Sequence, residues 1–189
     1  MAEKWTTIKY LTSEQTVRLF AAISAPRDRA LFATIYHYGL RVSEATLLQL
    51  EDVDFERKRI CISRLKHGIG GERPLFANTA QLLKSYLDIR LPKGSALFTG
   101  RQGSLKCGRM QQLFGRYADA AGLSSQFSVK SLRHSIATHL LEAGQGIEYV
   151  QDHLGHVNIQ NTMIYARITD RRREKVLQQL EQSSEIVKL

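Results

Sequence analysis

Helical spacing of apolar residues runs along most of the chain and is interrupted by a segment in which apolar and polar residues alternate. The alternating segment covers residues 57–65, where Ile60 and Ile62 are the apolar members, and a glycine-rich turn at 68–71 leads to a second short run at 72–76. Alternation is typical of a strand, whereas recurrence every three or four residues is typical of an amphipathic helix. The pattern therefore predicts a mainly α fold of the α+β class with a small antiparallel β-sheet.

The predicted helices begin and end at recognisable residues. Thr12 and Gln15 have the spacing of a capping box, Pro26 ends the first helix, and Gly39 ends the second in a left-handed cap. A short helix capped by Ser43 follows. Further helices are expected at 79–91, 105–121, 129–143, 147–154, 159–165 and 170–185, with an extended piece at 96–99 and a turn at 101–104.

Composition limits the class of protein. No Gly/Ser linker and no internal repeat divides the 189 residues, which predicts one domain over 1–189. The two cysteines, Cys61 and Cys107, are too few for a disulfide framework, and the chain has no signal peptide and no apolar run of the length that a membrane span needs. Secreted and transmembrane classes are therefore excluded at this stage, and a cytoplasmic location is expected.

Positive charge exceeds negative charge and is concentrated in two stretches. Lys and Arg number 27 against 18 Asp and Glu, a formal net charge of +9. Residues 57–73 and residues 101–133 each hold six cations and one acid. One such cluster is usually a solvated face, but two on separate elements are suited to the walls of a groove for a polyanion, because clustered cations release counterions from a phosphate backbone.

Five short motifs occur in a fixed order. They are Arg41 in a Gly-Leu-Arg-Val-Ser-Glu segment, Lys66 at the tip of the predicted hairpin, Arg133 in Lys-Ser-Leu-Arg-His, His156 in Leu-Gly-His, and Tyr165 nine residues later. Each motif alone is weak, but the ordered set resembles the catalytic domain of the tyrosine recombinases, also called phage integrases, over about residues 11–167. The tyrosine recombinase catalytic-domain fold is therefore expected.

This resemblance implies a site-specific recombinase that cuts and rejoins double-stranded DNA through a 3′-phosphotyrosine, in integration, excision, inversion or resolution. It implies Tyr165 as the nucleophile, Lys66 as the general acid, and His156 as a donor to a non-bridging oxygen or a helper of the tyrosine. No metal, ATP or other cofactor is implied. The partners that it implies are a DNA recombination site and further copies of the chain in a homotetramer.

The resemblance also bears on the ends of the chain. Family members usually carry a separate N-terminal domain that clamps DNA, whereas this chain starts directly in the catalytic domain. Two explanations stay open, a natural short recombinase similar in architecture to the fimbrial phase-switch inverting enzymes and a trimmed piece of a longer protein. Residues 170–189 carry an apolar stripe. Two interpretations stay open for that stripe, a tail exchanged between protomers and a helix that covers its own core.

The chemistry of phosphodiester cleavage gives a reason for the two arginines that does not depend on the resemblance. Cleavage of a phosphodiester builds negative charge on non-bridging oxygens, and Arg41 and Arg133 supply planar guanidinium groups that can bind such oxygens through two hydrogen bonds each. Glu44, three residues after Arg41, is a candidate salt-bridge partner that would orient it. Structural and catalytic interpretations of these three residues are thus compatible.

One position departs from the family pattern. Lys130 stands where the family has a histidine three residues before the second arginine, and a protonated lysine is a poor base. The group that deprotonates Tyr165 is therefore open between water, His156 and a Lys130 with a lowered pKa. His134 is not a simple replacement, because adjacent helical residues point about 100° apart, and the resemblance treats it as structural.

Two alternative functions remain. A DNA-binding protein of the same fold with lost or weak cleavage is compatible with the lysine at position 130. A metal-dependent nuclease would use histidines as ligands, and the candidates are His134, His139, His153 and His156. No Asp/Glu pattern accompanies these histidines, which disfavours the nuclease.

Overall fold

A computed structural model describes residues 8–65, 68–91 and 94–166. Its helices are α1 (Ser13–Ala22), α2 (Pro26–His37), α3 (Val42–Ala45), α4 (Ala77–Leu87), α5 (Cys107–Ala120), α6 (Val129–Glu142), α7 (Ile147–Leu154) and α8 (Gln160–Ala166). Its strands are β1 (Val53–Asp54), β2 (Arg59–Ile62), β3 (Gly71–Pro74), β4 (Thr99–Gly100) and β5 (Gly103–Ser104), and a 3-10 turn covers Leu50–Asp52. The predicted mainly α fold with a small antiparallel sheet is confirmed, and β4 and β5 form a second, two-stranded sheet that was not predicted.

The predicted helix boundaries are partly correct. Thr12 and Gln15 form the expected capping box, with reciprocal hydrogen bonds of 3.0 and 3.2 Å. Pro26 is the first residue of α2, where its missing N–H leaves no hydrogen bond unmade. The cap predicted at Ser43 is wrong, because α3 starts one residue earlier and Arg41 is its N-cap.

The larger sheet has the order β1-β2-β3, with both pairs antiparallel. Ile60 and Ile62 are buried and alternate with exposed neighbours, as the sequence predicts. The strand predicted from residue 57 begins at Arg59, because Lys58 has a φ of 54° and belongs to a turn. Strand β1 is too short to show an alternating pattern and was not predicted.

Helix α2 lies at the centre of the molecule and packs against α4 on one side and α6 on the other. Its buried middle belongs to the main apolar core. Helix α6 also packs against α7 and α8, and a second apolar cluster, which includes Ile136, Leu154 and Tyr165, joins these three helices. This packing places the ends of α2 and α7 beside the middle of α6.

Several expectations lie outside the described residues. They concern Lys66, the helix at 170–185 and the tail at 170–189. Within the described part of the chain, no helix has the length and hydropathy that a membrane crossing requires.

Candidate active site

Five segments of the chain meet at the candidate site. Arg41 lies between α2 and α3, Arg133 lies in α6, and His156 and Tyr165 lie just after α7 and in α8. The fifth segment directly follows β2 and contributes Arg64, a residue that the motifs do not include. The predicted residues that the structure brings together are Arg41, Arg133, His156, Tyr165 and Glu44, and Glu44 packs beneath Arg41.

Two glycines allow the close approach of these segments. Gly39 has a φ of 56°, and a Cβ there would lie 2.5 Å from a methyl group of Leu154. Gly155 has a φ of 66°, and a Cβ there would lie 2.6 Å from the carbonyl oxygen of Ile69. Any other residue at either position would strain the backbone, and at Gly155 it would also collide with the main chain of Ile69.

The carboxylate of Glu44 is surrounded by guanidinium groups. It lies 2.6 Å from Arg41 Nη1, 2.9 Å from Arg64 Nη1 and 3.8 Å from Arg133 Nη1, and its side chain is 1% exposed. Burial raises the pKa of Glu44, but the backbone N–H and guanidinium of Arg41 and the charge of Arg64 lower it more, so that the net pKa is below the ordinary value. Three cations therefore share one ionised carboxylate, which leaves the cluster positive.

Arg64 was missed as a site residue by the motif comparison. Its side chain is 2% exposed, and its Nη2 donates to the carbonyl oxygens of Tyr38 at 2.8 Å and His153 at 2.7 Å. The strand pattern contains the signal that would have found it. Residue 64 has the same parity as the buried Ile60 and Ile62, so alternation points it inward.

Arg133 is held by main-chain carbonyls. Its Nη1 donates to Gly39 O and its Nη2 donates to Leu154 O at 3.0 Å. The same Nη2 lies 2.7 Å from His156 Nε2. Because a guanidinium only donates, His156 Nε2 is the acceptor, and burial together with the charge of Arg133 lowers the pKa of His156 to about 4.

The second nitrogen of His156 is also engaged. Nδ1 lies 2.8 Å from the hydroxyl of Thr162 in α8. Since Nε2 accepts from Arg133, Nδ1 carries the ring proton and donates it to Thr162. His156 is therefore neutral in this structure and joins α6 to α8 through Arg133 and Thr162.

Tyr165 is buried beside α6. Its side chain is 1% exposed, and its hydroxyl lies 2.7 Å from His134 Nδ1. Burial raises the pKa of Tyr165 to about 12, although the charges of Arg133 and Arg41 act in the opposite direction. The expectation that His134 has only a structural role took no account of this contact.

Lys130 lies on the exposed side of the first turn of α6. It is one helical turn before His134, and its charge contributes, after burial, to lowering the pKa of His134 to about 4. Arg41, whose side chain is 32% exposed, is the most accessible of the three clustered arginines. Both cations are thus placed where an anion from solvent would meet the site.

The histidines proposed as metal ligands make other contacts. His139 bonds the Tyr36 hydroxyl and the Leu11 carbonyl, at 2.8 and 2.9 Å. In residues 8–65, 68–91 and 94–166, no group of three His, Cys, Asp or Glu side chains is placed to hold a metal ion. The described site consists of a cluster of arginines whose charges act on a buried tyrosine.

A second basic surface lies at the start of α5. A cleft of about 820 Å³ is lined by Arg27, Arg101, Lys106 and Arg109, among other residues. Arg101, Lys106 and Arg109 belong to one of the two cation-rich stretches of the sequence. The stretch 101–133 thus contributes to this cleft and, through Lys130 and Arg133, to the site described above.

Sequence comparison relates the chain to known recombinases. The family model described as the phage integrase family matches residues 9–172. Tyrosine recombinase XerA of Thermococcus onnurineus is 35% identical over 167 residues, which cover 85% of this chain and 58% of the relative. Tyrosine recombinase XerC of Pelotomaculum thermopropionicum is 34% identical over 163 residues, which cover 79% of this chain and 52% of the relative.

Comparison of folds gives the same relationship. The crystal structure of XerA recombinase superposes with a TM-score of 0.81 at 25% identity, over 92% of this chain and 64% of that one. XerH site-specific recombinase, in a post-cleavage complex with its palindromic difH substrate, gives 0.76 at 26% identity, over 93% and 54%. The chain therefore spans between 52% and 64% of the length of these four proteins.

Proposed function

The chain belongs to the phage integrase family, and from that membership and the geometry of its site we propose that it cuts and rejoins DNA strands through a covalent bond between Tyr165 and a 3′-phosphate. The reaction class is site-specific recombination, that is, integration, excision, inversion or resolution. The bond energy is conserved in the phosphotyrosine, so rejoining needs no ATP.

The observation that carries the proposal is the shared carboxylate. Glu44 holds Arg41 and Arg64 at 2.6 and 2.9 Å, with Arg133 at 3.8 Å, and the charges of Arg133 and Arg41 act on the Tyr165 hydroxyl. A positive cluster fixed next to a phenol matches the charge that develops on phosphate oxygens during attack. The guanidinium groups of the cluster are therefore held together before substrate binds.

Each residue has a separate role in the proposed reaction. Arg41 binds a non-bridging oxygen from the exposed side, and Arg133 and His156 complete the pocket beneath it. Because His156 Nε2 accepts from Arg133 in the free chain, its donation to a phosphate oxygen requires a rearrangement or protonation of that ring. Lys66 protonates the departing 5′-oxygen, and Lys130 adds positive charge at the entrance.

Double-stranded DNA is the proposed partner. The exposed cations at the start of α5 and those near Arg41 would contact its backbone, which accounts for the excess of Lys and Arg. We further propose a homotetramer on paired sites, with residues 170–189 either exchanged between protomers or packed on their own core.

Covalent capture tests the proposal. Tagged protein is incubated in EDTA with a pool of nicked duplexes of random sequence, and the DNA that resists denaturing washes is sequenced. Wild type should retain DNA, whereas Tyr165→Phe should bind DNA without retaining it. Tyr149→Phe, at a half-exposed tyrosine of α7, is the matched control and should behave as wild type.

The same assay separates the alternatives. An adduct in the Tyr165→Phe variant would refute the assignment of the nucleophile. Binding without any adduct would support the DNA-binding protein that has lost cleavage. Strand cleavage that EDTA abolishes and a divalent ion restores would support the metal-dependent nuclease.

A further inference from the structure

The hydroxyl of the proposed nucleophile has a single polar partner among the described residues. Tyr165 Oη lies 2.7 Å from Nδ1 of His134, and the centroids of the two rings are 5.5 Å apart. This distance is that of a good hydrogen bond. The contact joins α8 to α6 at the residue that directly follows Arg133.

The other candidates for deprotonating the tyrosine make no such contact in the described structure. Both nitrogens of His156 are engaged, Nε2 by Arg133 and Nδ1 by Thr162. Lys130 lies on the exposed side of α6. The geometry thus favours His134, which the sequence analysis set aside as structural.

The separation of neighbours on a helix explains why His134 has this position. Adjacent residues point about 100° apart, so Arg133 is directed to the carbonyls of Gly39 and Leu154 while His134 is directed to Tyr165. Arg133 therefore lies toward the proposed phosphate site, and His134 contacts the proposed nucleophile. The same angle argued against His134 as a substitute at position 130, but it does not exclude a role at the tyrosine.

In the free chain His134 is able to accept a proton, and the Tyr165 hydroxyl still carries one to give. Burial, followed by the charges of Lys130 and Arg133, lowers the pKa of His134 to about 4, so the ring is neutral at neutral pH and has a free lone pair. Burial keeps the phenol of Tyr165 protonated. A phosphodiester bound beside Lys130 and Arg133 offsets their charge, which raises the proton affinity of His134 when the substrate is in place.

We propose that His134 is the catalytic residue that accepts the phenolic proton of Tyr165 during cleavage and returns it during rejoining, an inference that rests on the proposed function. In cleavage the Tyr165 oxygen bonds to phosphorus, the bond from phosphorus to the 5′-oxygen breaks, and the phenolic proton moves to His134 Nδ1. The 5′-oxygen takes its proton from Lys66. Rejoining reverses each of these transfers.

Two substitutions separate proton transfer from hydrogen bonding. In His134→Asn the amide oxygen takes roughly the place of Nδ1 and still accepts a hydrogen bond, but it cannot take the proton. His134→Ala removes both functions. The probe is a nicked duplex with a sequence that wild type retains covalently, and the rate of adduct formation is measured together with DNA affinity.

Both variants should bind DNA and form adduct about 10²–10⁴-fold more slowly than wild type, the usual contribution of a general base. Added imidazole should partly restore His134→Ala. The defect should persist on a 5′-bridging phosphorothiolate, whose leaving group needs no proton. His139→Asn, on the same helix but bonded to Tyr36 and the Leu11 carbonyl, is the matched control and should retain the wild-type rate.

Three kinetic results would overturn the inference. A near-normal rate in His134→Asn would show that only the hydrogen bond matters. A normal or raised rate in His134→Ala would show that the contact is dispensable or holds the buried tyrosine back. Recovery of the variants on the phosphorothiolate would place His134 at the leaving group instead.

Absence of any adduct with wild type would count against the proposed function itself. A measurement without DNA then still tests the role of His134. Nitrogen-15 NMR of histidine-labelled protein, with His134→Asn used to assign the signal, reports which ring nitrogen is protonated. The inference requires Nδ1 of His134 to be unprotonated and its signal to shift in Tyr165→Phe. A protonated Nδ1 at neutral pH would overturn it.

Discussion

Arg64 and Glu44 form a buried ion pair in which Nη1 and Oε2 are 2.9 Å apart, with the side chains 2% and 1% exposed. The same guanidinium donates to the carbonyls of Tyr38 and His153. One cation therefore joins the end of α2, the carboxylate beneath Arg41 and the end of α7. The pair sets the positions of the segments that carry the proposed phosphate ligands.

Removal of one partner from this pair should be costly. Glu44→Gln leaves Arg64 buried without its counter-charge, and we expect a loss of about 3–5 kcal/mol in the free energy of unfolding, measured with urea. The matched control is Glu72→Gln, at an exposed carboxylate 3.6 and 3.7 Å from Arg57 and Arg59. That change should cost less than about 1 kcal/mol. Equal losses in the two variants would contradict a structural role for Glu44.

The pair also shows which features of the site the sequence can predict. Arg41, Arg133, His156 and Tyr165 were predicted because the ordered motifs that contain them resemble those of the tyrosine recombinases. Arg64 belongs to no motif and was counted only among the cations of residues 57–73, as part of a solvated face or of a groove wall, although the alternation of β2 directs it inward.

Contacts between distant segments are harder to predict from spacing. The hydrogen bond from α6 to the Tyr165 hydroxyl depends on how α8 packs, and no local pattern encodes that packing. Short elements such as β1 cannot be predicted from hydrophobic periodicity, because two residues do not show a repeat. The fold class could be predicted because periodicity over a dozen residues is a local property.

Stability should fall in mild acid. The pKa of His156 is lowered from 6.5 to about 4 in the folded chain, mainly by burial and then by neighbouring arginines. The unfolded chain therefore binds more protons between pH 6.5 and 4, so the stability present above pH 6.5 is lost as pH falls through this window. For one such group the loss between pH 7 and pH 5 is on the order of 2 kcal/mol.

A variant isolates that contribution. His134 and His153 have pKa values lowered in the same direction, so both wild type and His156→Gln should lose stability on acidification. The Gln variant should lose less, as measured by urea unfolding at pH 7 and pH 5. Identical losses would show that His156 is not held neutral by the fold.

The role proposed for Lys66 can be tested through the leaving group. A thiolate departs without protonation, whereas an alkoxide does not. Lys66→Ala should therefore form adduct slowly on normal DNA and at a near-normal rate on a 5′-bridging phosphorothiolate of the same sequence. A defect of equal size on both substrates would mean that Lys66 contributes to DNA binding alone.

Lys130 gives the sharpest contrast with the family pattern. If it contributes charge beside Arg133, Lys130→Arg should cleave at a near-normal rate, Lys130→His should keep or improve activity, and Lys130→Ala should lose less than the 10²–10³-fold typical of a direct transition-state contact. If it were the base, the arginine variant would be as damaged as the alanine variant, because a guanidinium does not deprotonate.

The pH profile of adduct formation decides between these roles of Lys130. A lysine acting as the base would make the wild-type rate rise with pH through its own lowered pKa, and Lys130→Arg would lose that rise. With His134 as the acceptor, wild type and Lys130→Arg should have the same profile, since the charge at position 130 is retained and the group that takes the proton is unchanged. Full tolerance of Lys130→Ala would instead remove position 130 from the reaction, because neither its charge nor its proton would then affect the rate.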